Sequence, residues 1–324
     1  MNFISAAKRG AHLAIRSASS TTSGVRRLLL VGMATAVVTL SACGGGGGDV
    51  DRGPTTIALT GKLNGLYWDS SESRLFLTDD SANNIRVWDG GNLFPQYAAL
   101  TAAPASGATL GQLTRTADGT LYTTRFGFGT DGAVVAVPKN GVAYNLSGTD
   151  PLRRRIGITT TPDGGLLDGW FIKGGTGAVS ELTVKGSAAS ERELITGLGK
   201  PVGVAVAGDA LWVSDQNTGN ILSYSLAKVR ATPAKLADGK IVATFTTLDG
   251  IDLMTAAPDG TLFFGGSGGK LFRISPTGTT TVLASGWPKM MGVSYDQGNR
   301  RLFVAVAAAD ANSSASVRIV PIDN

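Results

Sequence analysis

One unit of three short strands recurs along the chain. In its clearest copy, residues 201–226, runs rich in Val, Ile, Leu, Tyr and Trp (202–206, 210–214 and 220–225) are separated by Gly208-Asp209 and by a polar turn over 215–219. Each run suits a pleated, half-buried strand. A single sheet of this size cannot cover both of its faces, so it must stack against copies of itself. Five more copies occur, and their first-to-second-strand reversals, with that of the clearest copy, fall at residues 72, 118, 163, 209, 259 and 297, 38 to 50 residues apart. Asp-Gly pairs at 118, 163 and 259 supply the positive φ that a tight hairpin requires. Six units at this period predict an all-β chain, a six-bladed β-propeller with four-stranded antiparallel blades. Fourth strands are expected at 96–100, 142–147, 192–195, 241–246 and 279–284. The sixth unit ends at Ile322 with no outer strand of its own, and residues 55–59 are expected to supply it, closing the ring without an open edge.

The front of the chain is of another kind. Residues 1–42 carry Lys8, Arg9, Arg16, Arg26 and Arg27 and no acid, then an apolar run over 28–40 that ends in Leu40-Ser41-Ala42-Cys43. That run is shorter than the about 20 residues a bilayer-spanning helix needs, and small residues stand directly before the cysteine. The pattern resembles a bacterial lipoprotein signal, which implies acylation of Cys43 as the mature N-terminus. An ordinary secretory signal cut nearby, leaving Cys43 a free thiol, is the alternative. The expected organisation is a signal peptide over 1–42, a Gly-rich tether over 43–54 and the propeller over 55–324. Gly44 rather than Asp follows the cysteine, which by resemblance to lipoprotein sorting favours the periplasmic face of the outer membrane. The expected address is therefore the cell envelope, with the membrane as a partner through the lipid.

Removing the signal also changes the chemistry available. The chain has 29 Lys plus Arg and 24 Asp plus Glu, and the signal holds five of the bases, leaving 24 against 24. A neutral mature chain offers no electrostatic footprint for nucleic acid. The one histidine, His12, lies in the signal, and the one cysteine is the lipidation site. Catalysis by Ser-His-Asp or Cys-His, and metal sites built on His, are thereby excluded from the mature protein.

The run Val213-Ser214-Asp215-Gln216-Asn217-Thr218-Gly219-Asn220-Ile221 resembles the NHL repeat. Asn64-Gly65-Leu66-Tyr67-Trp68-Asp69 followed by Arg74-Leu75-Phe76-Leu77-Thr78-Asp79 is similar to the opening of the gluconolactonase and senescence-marker-protein family. Both resemblances imply six-bladed propellers. The second also implies a metal at the mouth of the central channel, held by a Glu, an Asn and an Asp that begin inner strands. The aligned starts here are Asn64, Gly111 or Gln112, Ile156, Val202, Asp252 and Met291. Asn64 stands at the family's Glu and Val202 at its Asn; the Asp is retained as Asp252 by strand alignment, or as Asp249 by the local Asp-Gly. A Ca²⁺-type cage needs several converging oxygens, so a divalent cation such as Ca²⁺ is expected to bind weakly, at Asp252, if at all.

The candidate ligand-binding residues at the mouth are Asn64, Gln112, Arg115, Arg155, Asp249 and Asp252, and no catalytic residue is assigned. Arg153-Arg154-Arg155 leads into the third inner strand, so a guanidinium can enter the mouth, or the run is a solvated loop. Arg115 lines the channel or stacks under Tyr122. Asp79 and Asp215 are expected to accept backbone hydrogen bonds within turns. Trp68, Trp88, Trp170 and Trp212 are expected to pack between blades, Trp287 to be exposed, and the glycines to punctuate turns. The functional expectation is an envelope lipoprotein whose propeller binds a small molecule or an envelope protein; the alternative is a gluconolactonase-like, metal-dependent lactone hydrolase.

Overall fold

The computed structural model describes residues 55–102 and 109–322. The signal, Cys43 and the tether lie outside the described residues. Six sheets follow one another along the chain, each hydrogen-bonded strand to neighbouring strand as the repeats predict. Blade 1 comprises Leu63–Asp69, Arg74–Asp79, Asn84–Trp88 and Gln96–Ala99. The inner strands of the other blades are Leu110–Arg115, Arg154–Thr160, Pro201–Ala207, Ile251–Ala256 and Met290–Asp296. Each packs beside the inner strands of its two neighbours, and Leu63–Asp69 meets Met290–Asp296 to complete the circle.

Closure is as expected. Thr55–Leu59 adds antiparallel to Ala315–Pro321, with Ile57 opposite Val317 and Leu59 opposite Ala315. The alternation of Thr55-Thr56-Ile57-Ala58-Leu59 places Ile57 and Leu59 on one face, and both are buried in the cluster formed with Trp68 and Phe303. The last blade is thus completed by the first strand of the domain.

The hydrophobic core is distributed as a ring. Each apolar cluster lies between two neighbouring blades rather than inside one, because a sheet buries its faces only against the next sheet. Trp68 of blade 1 stacks on Phe303 of blade 6, with centroids 5.1 Å apart, and Trp212 joins Leu262 and Ile274 between blades 4 and 5. Two tryptophans depart from expectation. Trp170 stays within blade 3, its indole N–H donating to Ser180 Oγ at 2.8 Å and its face covered by Arg153 at 3.7 Å. Trp287 is half-buried beneath Arg318, whose guanidinium carbon sits 4.1 Å from the ring centroid.

Blade 3 also departs from four antiparallel strands. The segment after blade 4's third strand forms a short helix, Leu226–Ala231, whose N-cap Ser225 accepts from the Lys228 N–H, and then a strand, Ala234–Lys235, that pairs parallel with Ala188–Leu198. The excursion buries Leu226 and Val229 against blades 3 and 4.

The inner glycines have a second role besides turn punctuation. A Cβ at Gly65 would collide with the Gly111 carbonyl, and one at Gly111 with the carbonyl of Ile156 and the hydroxyl of Thr124. Glycine there lets neighbouring inner strands approach backbone to backbone.

Candidate functional site

Every inner strand breaks register at the same end. The pairing with the second strand skips between Leu63 and Leu66, Leu110 and Leu113, Arg155 and Gly157, Pro201 and Gly203, Ile251 and Met254, and Met290 and Val293. Such bulges leave residues outside the ladder and re-aim their side chains. The residues so released include Asn64, Gly111, Ile156, Val202, Asp252 and Met291, and all six line one cavity of about 230 Å³ at the mouth of the channel. The six aligned strand starts, with Gly111 rather than Gln112 in blade 2, thus meet in one cavity, one residue per blade.

The candidates proposed for that ring separate. Asn64 lines it and donates Nδ2 to the Leu110 carbonyl at 2.5 Å, bridging blades 1 and 2. Asp252, rather than Asp249, is the acid of the mouth. Asp249 is held in its own loop, accepting from Thr246 N at 3.1 Å and Thr246 Oγ1 at 2.7 Å and pairing with Lys270 Nζ at 2.9 Å. Gln112 falls within the bulge but does not line the cavity; it is buried, with Oε1 lacking a hydrogen-bond partner among the described residues.

The two arginine candidates are structural. Arg115 lies five residues beyond Leu110, roughly 15 Å along an extended strand, at the opposite end of the channel. Its guanidinium pairs with Asp69 and with Glu72 at 2.8 Å and lies over Phe76 at 5.8 Å, not under Tyr122. Arg155 contributes to the cavity wall, yet its side chain is fully buried and paired with Asp168 and, at 2.5 Å, with Glu191 of its own blade. No anion can displace these carboxylates from a side chain with no solvent exposure. Arg153 is likewise paired, with Glu191 and Glu193, so these two arginines of the run neither clamp the mouth nor lie in a solvated loop. Asp79 and Asp215 behave as expected. Asp79 accepts the Lys62 and Ser81 N–H groups, and Asp215 those of Gly199, Lys200 and Asn217.

The chemistry of the mouth also uses residues that strand alignment does not reach. Lys200 and Lys289 stand in the loops immediately before inner strands 4 and 6, while Phe126, Phe128 and Gln216 follow second strands. Lys200 Nζ donates to Gln216 Oε1 at 2.5 Å, and Gln216 Nε2 donates to the Ile251 carbonyl at 2.9 Å, fixing the lysine beside inner strand 5. Their sequence signal is positional: each adjoins a released residue by one to three positions, or the end of the neighbouring second strand.

Asp252 is buried, and that burial pushes its carboxyl up to about 6, while Lys289 and Lys200 pull in the opposite direction. Lys200 is lowered, chiefly by its own burial, with Asp252 opposing and the like charges of Lys289 and Arg154 reinforcing the shift. Among the described residues that line the mouth, one carboxyl thus changes protonation close to neutral pH, faced by two ammonium groups. This donor set does not fit a divalent cation. It offers one carboxylate, Val202 stands where a polar donor is implied, and the two nearby charges are positive. Among the described residues no group of three or more His, Cys, Asp or Glu is placed to hold a metal ion.

No protein-family model matches the chain, and no curated protein matches it by sequence. Solved structures do resemble it. A gluconolactonase from Xanthomonas campestris superposes with a TM-score of 0.65 at 16% identity, over 83% of this chain and 89% of that one. A luciferin-regenerating enzyme gives 0.63 at 14%, over 83% and 96%. The calcium-binding protein regucalcin from Agrobacterium tumefaciens gives 0.61 at 12%, over 81% and 92%. At these identities the likeness is one of architecture, and it places the chain among the six-bladed β-propellers whose solved examples include gluconolactonases and regucalcin.

Proposed function

We propose that the channel mouth is a small-molecule site of hydrolytic kind, acting on a compact lactone or ester, in a protein carried in the bacterial cell envelope by lipid on Cys43. The observation that supports this reading is the placement of Asp252: a carboxyl near pH 6, in a concave site, facing two lysines. Perturbed acids clustered in a cleft mark functional sites more often than structural ones, and a base titrating near the working pH is the most effective proton acceptor. The name gluconolactonase among the similar propellers agrees with a lactone-opening reaction by analogy of fold alone.

In the proposed reaction, ionised Asp252 takes a proton from water as the water oxygen bonds to the acyl carbon. The ammonium groups of Lys200 and Lys289 stabilise the negative charge that develops on the carbonyl oxygen. When the acyl–oxygen bond of the ring breaks, Asp252 returns the proton to the departing oxygen, so that lactone and water give the hydroxy acid. No step passes through a metal.

Binding without turnover is the second reading, favoured by Asn64 and Val202, which occupy the positions of two of the three donors that the family resemblance implies. A pH-stat assay on sugar lactones and simple aromatic lactones, with and without chelator, separates the readings. Chelator-insensitive turnover with an acidic limb near pH 6, reduced about 10²–10⁴-fold in Asp252→Asn, is the expected result. Saturable binding with no turnover would leave the binding role, and turnover that appears only on adding a divalent ion would overturn the metal-free mechanism.

A further inference from the structure

Charge at the mouth does not balance. Lys200 donates to a neutral amide, that of Gln216. Lys289 is exposed, and its side chain makes no hydrogen bond or ion pair among the described residues. Arg154, unlike Arg153 and Arg155 on either side, has no carboxylate partner among the described residues; its guanidinium lies 5.1 Å from the Phe126 centroid and 6.0 Å from that of Phe171, and Nη2 donates to the Phe128 carbonyl at 2.8 Å. Lys200 Nζ stands over the same Phe171 ring at 5.7 Å. The carboxylates of the surrounding loops are otherwise engaged, Asp249 with Lys270 and Asp215 with backbone N–H groups. Among the described residues, Lys200 and Lys289 therefore line a cavity whose one acid is Asp252, with Arg154 behind its Phe126 wall. Like charges held this close repel one another in a partly desolvated site, and an incoming anion relieves that repulsion.

The wall beside these cations is apolar and aromatic. Phe126 and Phe128 meet edge to face at 5.0 Å. Phe128 is 46% exposed and held at φ 52°, a left-handed conformation that a bulky residue adopts only when its surroundings impose it. The donation from Arg154 to its carbonyl is such a constraint, and it keeps an exposed ring over the cavity. The volume of about 230 Å³ is small beside the ~300–1,000 Å³ of sites for drug-sized ligands, which limits an occupant to about one ring.

We infer that the ligand of this mouth is a small single-ring compound bearing a carboxylate, the charge taken by Lys200 and Lys289 and the ring face by Phe126 and Phe128. This rests on the reading that the mouth is the ligand site, and it specifies the substrate class of the proposed reaction as an acidic lactone or ester. Binding can be read without chemistry, so it is tested separately from turnover. Ligand-observed NMR titrations of the full protein with benzoate, benzamide and inorganic phosphate at low ionic strength should show benzoate at least tenfold tighter than its neutral amide. That gap should shrink several-fold at ~300 mM salt and in Lys289→Gln, a change at an exposed side chain. Phe128→Ser should weaken benzoate and benzamide in proportion. Equal affinity for benzoate and benzamide, or a gap that survives both Lys289→Gln and Lys200→Gln, overturns the anion assignment. Phosphate binding as tightly as benzoate overturns the ring assignment. A benzoate preference in a protein with no lactone turnover supports the inference while refuting hydrolysis.

Discussion

Asp252→Asn should make the protein more stable at neutral pH while removing its proposed activity. In the folded chain the carboxyl titrates at about 6 rather than 3.8, a difference that disfavours its charged form by about 3 kcal/mol. The sign follows from linkage: below about pH 4 the group is protonated in both states and contributes no difference. Between about 4 and 6 the unfolded chain releases the proton first, so stability falls as pH rises; above about 6 the full penalty is present. Asparagine keeps the shape without the charge. The variant should therefore gain up to about 3 kcal/mol at pH 7, roughly 6 to 10 °C in Tm for a domain of this size, and should match the wild type at pH 3.5. Urea or thermal unfolding of both proteins across pH 3.5 to 8 measures the gap. A variant equally or less stable at pH 7, or a gap that does not change with pH, would show that the carboxyl is not penalised by burial and would remove the main support for its role as a base.

Four further outcomes are expected. Deleting residues 49–60 removes the strand carrying Ile57 and Leu59, two buried side chains of roughly 1.5–3 kcal/mol each together with its ladder to Ala315–Pro321, and should lower unfolding stability by several kcal/mol, whereas deleting 44–48 should leave the melting curve unchanged; equal curves would mean that the ring closes otherwise. Arg155→Ala strands Asp168 and Glu191 inside blade 3 and should destabilise by about 3–5 kcal/mol in chemical denaturation without altering ligand affinity per folded molecule, and a selective loss of affinity would return Arg155 to the mouth. Calorimetry with Ca²⁺, Zn²⁺ and Mn²⁺ should show weak binding at most, and tight binding lost in Asp252→Ala would contradict the donor-set argument. Cys43→Ser should release the protein from the membrane fraction or block its processing, and a freely soluble wild type would refute the anchor.

The sequence located one residue per blade at the mouth because repetition makes the six strand starts equivalent, so Asp252, Val202 and Ile156 could be placed from alignment alone. It did not separate the two ends of a strand. Arg115 shares an inner strand with Leu110 and Gly111, and alternation reports which face a side chain takes, not how far along the channel it lies. Arg155 was opaque for another reason: its partners, Asp168 and Glu191, are 13 and 36 residues away and meet it only once blade 3 has formed. Lys200, Lys289 and Phe128 sit in loops, where no periodicity marks them, and the short helix at 226–231 is too brief to show a helical repeat.

The six bulges bear on how such a chain can change over generations. A residue excluded from the ladder supplies no rung, so substitution there alters what the mouth presents while the blades beneath keep their pairing. Selection can then redraw the ligand one position at a time, through intermediates that still fold, and the six starts act as nearly independent characters. Gly111 is the exception, since any side chain there strikes Ile156 and Thr124. Five of the six positions are open to variation and the sixth is fixed by its neighbours, so in any descendant of this chain blade 2 meets the ligand through the loop after its second strand, where Phe126 and Phe128 stand, and not through its strand start.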